Sequence, residues 1–304
     1  MLRQITETLA SKTLATETQA TDAKTPRDQE LPLRWHGPAP AWRLIDVAEL
    51  WRFRELIWAF GFRDLKVRYR QAVIGIAWAI IQPLCTVIVF GVLISLLRGT
   101  ASGGDVPYAV TSLCGLVPWQ FFAAAVSQAT LSIALNNQLI QKVYFPRVIL
   151  PLSAFVPALV DFAVAFAMLG IVMLYYGILP GWQIVLLPVL FAMTAITAAA
   201  FSLWFSALNG IYRDVQFAVP FILQLGMIVC PVVYETGAVI PEKWQPLYYL
   251  NPTAGLLQCY RSVLLGSPWP SPVSLAISVV MVGIIGIGGA AYFRRMERRF
   301  ADVS

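Results

Sequence analysis

The residue types that carry out most enzyme chemistry are scarce in this 304-residue chain. The one histidine is His36, and the four cysteines, Cys85, Cys114, Cys230 and Cys259, show no CxxC or other ligand spacing. Neither a His-based dyad within the apolar region, nor a metal site, nor a structural disulfide is expected, and no catalytic residue is assigned. A G-x-x-x-x-G-K-S/T phosphate loop is missing, so the chain has no ATP site of its own. One carboxylate stands apart. Asp161 lies inside an apolar run, thirteen residues on from Val148, about 20 Å along a helix. A charge buried at such a depth is costly unless paired or wetted, so it marks a functional candidate. Asp161 can hold a polar contact with a neighbouring span or a second copy, or it can face a water-filled path. Proton coupling would need further acidic or histidine partners in the spans, and their absence favours the contact.

The elements that position these residues are six long apolar stretches, approximately Val73–Leu97, Tyr108–Leu135, Val148–Tyr176, Ile184–Leu208, Phe217–Tyr234 and Ser274–Phe293. About 20 apolar residues cross the ~30 Å hydrocarbon core as a helix, so these are membrane spans. Of the 22 Lys and Arg residues, Met1–Ala72 holds twelve, the second–third connection two, the fourth–fifth connection one and the tail after Phe293 four. Only Arg98, Lys243 and Arg261 fall on the other side. Basic residues accumulate in cytoplasmic loops, which places both termini inside and makes six spans self-consistent. A composition of 58% hydrophobic and 12% charged residues agrees. The net charge of +6 belongs to anchors flanking the spans, whose partners are acidic lipid headgroups rather than nucleic acid.

Residues 1–40, rich in Thr, Ala and charge, form a cytoplasmic tail that cannot bury a core and is expected to be disordered. It has no apolar h-region of a secretory signal. Within 41–71, Leu50, Phe53, Ile57 and Phe60 recur at helical steps while Arg52, Arg54 and Glu55 take other faces. This pattern predicts an amphipathic helix lying in the membrane interface. The region 72–293 is the transmembrane domain, followed by a cytoplasmic tail, 294–304. Between the last two spans, 235–270 alternates apolar pieces of about ten residues with Pro and Gly stops. Such pieces read as re-entrant or interface-lying half-helices, which survive at membrane depth only under cover of protein or beside water. The fold class is thus an all-α polytopic membrane protein: an amphipathic N-terminal helix, six transmembrane helices, and re-entrant half-helices before the last.

Several strings sit in order on the sides this topology assigns them: RYRQAVIGIAWAIIQP at Arg68–Pro83, PW at Pro118–Trp119, QKVYFPR at Gln141–Arg147, YRD at Tyr212–Asp214, NP at Asn251–Pro252, and the tail FRRMERRFAD. Together they resemble the ABC-2 type permeases of polysaccharide exporters, over roughly Leu44 to Asp302. The resemblance implies one half of a homodimeric channel in the bacterial inner membrane, working with two cytosolic ATP-binding subunits. Those subunits would hold ATP and Mg, and this chain would bind no cofactor. The implied cargo is a lipid-linked cell-surface polysaccharide such as O antigen or capsule.

Coupling to a separate ATPase calls for short, stiff cytosolic elements. The candidates are Glu49 and Arg52 on the amphipathic helix, Gln141 and Lys142 in a short helix stopped by Pro146, and Arg213 and Asp214 in a tight inside turn. For Lys142 and Arg147 topological anchoring is the competing reading, and an Arg213–Asp214 pair can serve only to fix the turn. Arg68, Arg70 and Arg147 stand at the cytosolic rim, where guanidinium groups could meet a lipid pyrophosphate bidentately. The inside excess of basic residues also accounts for them. Trp119, Phe121 and Phe122 near the outer end of the second span, and Tyr234 at the end of the fifth, are picked for channel lining, because sugar rings stack on aromatic faces. An aromatic belt explains most such residues on any membrane protein. Three other functions compete. An ABC-2 exporter of small lipophilic compounds would share the layout. A membrane-embedded lipid-sugar enzyme would need clustered carboxylates or metal ligands at a membrane face, such as a D-x-D pair, which the chain lacks. A secondary transporter would show more charge within its spans and repeated halves.

Overall fold

The computed structural model describes residues 47–70, 108–143, 145–232, 234 and 240–297, with isolated positions between 77 and 89. The tail 1–40, nearly all of the expected first span and residues 298–304 lie outside the described residues. The described elements are helical. They are α1 (Val47–Arg52), α2 (Arg54–Arg70), α3 (Tyr108–Leu135), α4 (Asn137–Lys142), α5 (Ile149–Ser153) and α6 (Phe155–Tyr175). After a 3-10 turn, Trp182–Leu186, come α7 (Leu187–Asn209) and α8 (Val215–Val229). Then follow a second 3-10 turn, Glu242–Trp244, α9 (Gln245–Tyr248), α10 (Pro252–Leu265) and α11 (Pro272–Glu297).

Four helical segments are long and apolar enough to cross a bilayer: Val110–Leu135, Ile149–Tyr175, Trp182–Asn209 and Pro272–Glu297. They coincide with four of the expected spans. α3 is the central one, packed against α6, α7, α8 and α10. It is buried on most sides, through Leu113, Trp119, Phe121, Phe122 and Val126 among others. Phe121 meets Phe162 and Phe191 at ring-centroid distances of 5.4 and 5.0 Å, and Phe162 stacks on Phe191 at 4.8 Å. In lipid the apolar effect between helices is weak, so interdigitated rings and interhelical hydrogen bonds must hold the bundle. Trp204 of α7 supplies one such bond, donating to the Ile285 carbonyl of α11 at 2.9 Å while stacking on Tyr292.

In the fifth span, expected over Phe217–Tyr234, the regular helix is α8, 15 residues ending at Val229. Cys230 turns extended and Pro231 follows, which stops the helix. About 22 Å of helix falls short of the ~30 Å core. Arg261, counted by sequence among the few basic residues outside, is 0% exposed, within α10.

α10 is a short helix within the segment read as half-helices. Asn251 caps it by accepting from the Thr253 amide, and Pro252 occupies its first turn. Nearly every residue of α10 is buried, enclosed by α3, α7 and α11. The apolar pieces of 235–270 thus resolve into one turn, α9, and one enclosed helix, α10.

Candidate functional site

At the end of the bundle assigned to the cytoplasm, α2 lies across α5 and α6. Its predicted apolar face is spent on protein. Leu50, Phe53, Leu56, Ile57 and Phe60 pack on Phe145, Ile149 and Leu150, together with Leu139 and Ile140 of α4. The contact is close. A Cβ on Gly61 would lie 2.4 Å from the Val156 Cβ and 2.9 Å from the Ser153 carbonyl oxygen. Only glycine lets the α2 backbone sit so near the α5–α6 junction. A second aromatic set, Trp51, Trp58 and Phe62, remains exposed, with Trp58 stacked on Phe62 at 5.5 Å. Aromatic rings beside basic residues suit a headgroup region.

Two polar contacts fasten α2. Arg68 donates through Nη1 to Asp161 Oδ2 at 2.7 Å. The carboxylate singled out as intramembrane is therefore in an ion pair with the helix that leads into the first span, and Ala154 separates it from the shorter α5 below. Arg63 donates to Asn136 Oδ1 at 2.8 Å and to Asp64, and Asn136 in turn donates to the Ser132 carbonyl at 2.8 Å. Arg63 thus ties α2 to the junction between α3 and α4. Neither Arg63 nor Asn136 was picked from sequence. Only the fold brings them together across 73 residues.

α4 buries none of its residues, and Gln141 and Lys142 are exposed. Arg213 and Asp214, in the turn before α8, are exposed as well and form no ion pair with each other. Glu49 is half-buried and Arg52 exposed. Arg147 is not at an open rim: its amide and guanidinium donate to Glu297 at the end of α11, and Arg294 bridges to the same Glu297 at 3.3 Å. Of the three arginines picked for a pyrophosphate, two are thus engaged within the protomer, and Arg70 is exposed at the end of α2.

The aromatic picks fare differently. Trp119, Phe121 and Phe122 are 5, 3 and 5% exposed. Rings enclosed in this way have no face to offer a passing sugar, so in this packing they serve as core. Tyr234 is half-buried, and its hydroxyl donates to the Val229 carbonyl at 2.7 Å.

Apolar helices of bilayer length, crossed at one end by an amphipathic helix and short exposed segments, define a multi-pass membrane protein. The chain belongs to the ABC-2 type transporter family, whose profile matches residues 55–265. It is similar to the O-antigen export system permease protein RfbA of Myxococcus xanthus, 27% identical over 259 residues, 84% of this chain and 98% of that protein. A protein of the same name from Klebsiella pneumoniae is 28% identical over 246 residues, 79% of this chain and 92% of its own length.

Proposed function

We propose that this chain is the permease subunit of an ATP-driven exporter that moves a lipid-linked cell-surface polysaccharide, O antigen or capsule, across the inner membrane. The observation that carries this reading is the near end-to-end likeness to two O-antigen export permeases. In this reading two copies form the path, and two cytosolic subunits bind ATP and Mg and hydrolyse the nucleotide. Glu49, Arg52, Gln141, Lys142, Arg213 and Asp214 form the docking face, consistent with the exposure of all but Glu49. A push on α4 passes to α2 through Asn136 and Arg63, and from α2 to the α6 span through Arg68 and Asp161. Arg70 is the rim residue best placed to meet the lipid pyrophosphate, while Arg68 and Arg147 hold the frame around it.

The test is deletion of the chain in its native host, with surface polysaccharide and membrane co-purification assayed together. Undecaprenyl-linked polymer retained inside the cell, with a stoichiometric ATP-binding partner on the tagged chain, is the expected result. Intact surface polymer after deletion would sink the reading and reopen small-molecule export or a membrane enzyme.

A further inference from the structure

The outer end of α8 is fastened by side chains. The last carbonyls of a helix have no intrahelical donors, and elsewhere water or a backbone cap takes them. Here the Val229 carbonyl accepts from the hydroxyls of Tyr234 and Tyr248 at 2.7 and 2.8 Å. Asn251 donates to Cys230 Sγ at 3.0 Å. Arg261 donates through Nη2 to the Val232 carbonyl at 2.7 Å and through Nη1 to the Tyr234 carbonyl at 2.9 Å. Its Nε donates in the other direction, to the Thr111 carbonyl in the first turn of α3 at 3.2 Å. Apart from Tyr234, the donors to this end come from Tyr248–Arg261, on and around α9 and α10.

The rest of α8 is loosely held. Only Val219 and Leu223 are buried in it, while Phe217, Phe221 and Ile228 are exposed. Arg261 therefore sits where a weakly packed helix meets the central one. The junction is tight against α3, because a Cβ on Gly115 would lie 2.6 Å from the Val232 carbonyl oxygen and 2.8 Å from Arg261 Nη2. A guanidinium fans its donors out in different directions within one plane, which a lysine ammonium on its flexible stem cannot reproduce. A buried cation is retained at a cost, and a junction where three carbonyls from two backbone segments must be gathered is a place where it is useful.

Resting on the export reading, we propose that Arg261 is the latch of the outer exit. It is a positioning residue that holds the end of α8 against α3 in the resting transporter and yields when polymer passes. The path between two copies cannot widen at its outer end while Val232 and Tyr234 stay tied to Thr111 through one side chain.

The experiment uses the transporter purified with its ATP-binding subunit, reconstituted in liposomes loaded with a small fluorescent dye and kept without ATP. Wild type is expected to be tight. Arg261→Lys should raise the resting leak about tenfold, equivalent to about 1.4 kcal/mol off the closed state. Gly115→Ala, which crowds the latch without removing it, and Tyr248→Phe, which removes one of two hydroxyls on Val229, should each leak about twofold. A merely structural Arg261 would lower the yield and thermal midpoint of the complex, yet leave the recovered material as tight as wild type. Tightness in all recovered variants overturns the latch. Should Arg261→Lys fail to assemble, Gly115→Ala and Tyr248→Phe decide on the same terms. Failure of the export reading is read separately, from unaltered surface polymer after deletion, and leaves the leak result standing on its own.

Discussion

Asp161 and Arg68 carry opposite charges on helices that the chain separates by 93 residues, and each explains the other. A carboxylate on an apolar span needs a partner, and the last turn of α2 supplies one. Both side chains keep some exposure, 42% for Arg68 and 32% for Asp161, so the pair is screened. Its worth in stability is about 0.2–1 kcal/mol. If α2 transmits a push to the α6 span, the effect on function should be larger than that, because this pair joins the two helices. Asp161→Asn and Arg68→Gln should each lower surface polymer several-fold while shifting the thermal midpoint of the purified complex little. The double variant should be no worse than the worse single one, as for two residues acting through one contact. Additive losses would show two independent roles. The carboxylate itself was legible in the sequence, because a charge in an apolar run is conspicuous. Its partner was not, since Arg68 looked like one rim cation among several. The burial of Arg261 was not legible either: charge bias reports the side of the membrane and says nothing of burial.

The helices differ in how far their sequences announced them. α3 and α11 and the spans built around α6 and α7 were legible because apolar runs of 20 residues or more have one structural solution in a bilayer. α8 and α10 were harder, since ten to fifteen apolar residues fit a short span, a re-entrant piece or a buried helix equally well. Capping by Asn251 and Pro252 then decides where α10 begins. Trp119, Phe121 and Phe122 lie on different sides of α3, each against a neighbouring helix: Phe121 on Phe162 of α6 and Phe191 of α7, Phe122 on Phe201 of α7, and Trp119 beside Gly226 of α8. The α2 contact depends on a single residue, Gly61. Gly61→Ala forces the helix off Val156 and Ser153, an overpacking cost of about 1–3 kcal/mol. If α2 transmits the push, the variant complex should still assemble and hydrolyse ATP while surface polymer falls at least tenfold. A parallel fall in hydrolysis and export would instead place Gly61 in assembly alone.

On the scale of the whole molecule, the export reading calls for a second copy. The bundle packs its rings inward around α3 and leaves no polymer-wide opening among the described helices, while α8 turns Phe217, Phe221, Ile222, Leu225, Ile228 and Val229 outward. Lipid could cover these residues, but a helix of 15 residues does not reach across the hydrocarbon core alone. A short helix with two buried residues gains more from a protein neighbour than from lipid tails, because close packing is what drives association inside a bilayer. A second copy, placed so that the two α8 helices flank a common axis, would cover part of this face and leave the remainder lining the path. That arrangement also puts the Arg261 junction of each copy beside the outer mouth, where a latch would act. Cysteines introduced singly at Phe221 and Ile228, in a background with Cys85, Cys114, Cys230 and Cys259 replaced, test it directly. At least one position should give a dimer-sized band on mild oxidation of native membranes, and substitution at the exposed Val280 of α11 should not. A band from Val280 with none from either α8 position would move the subunit contact to α11, and the path between copies would have to be redrawn there.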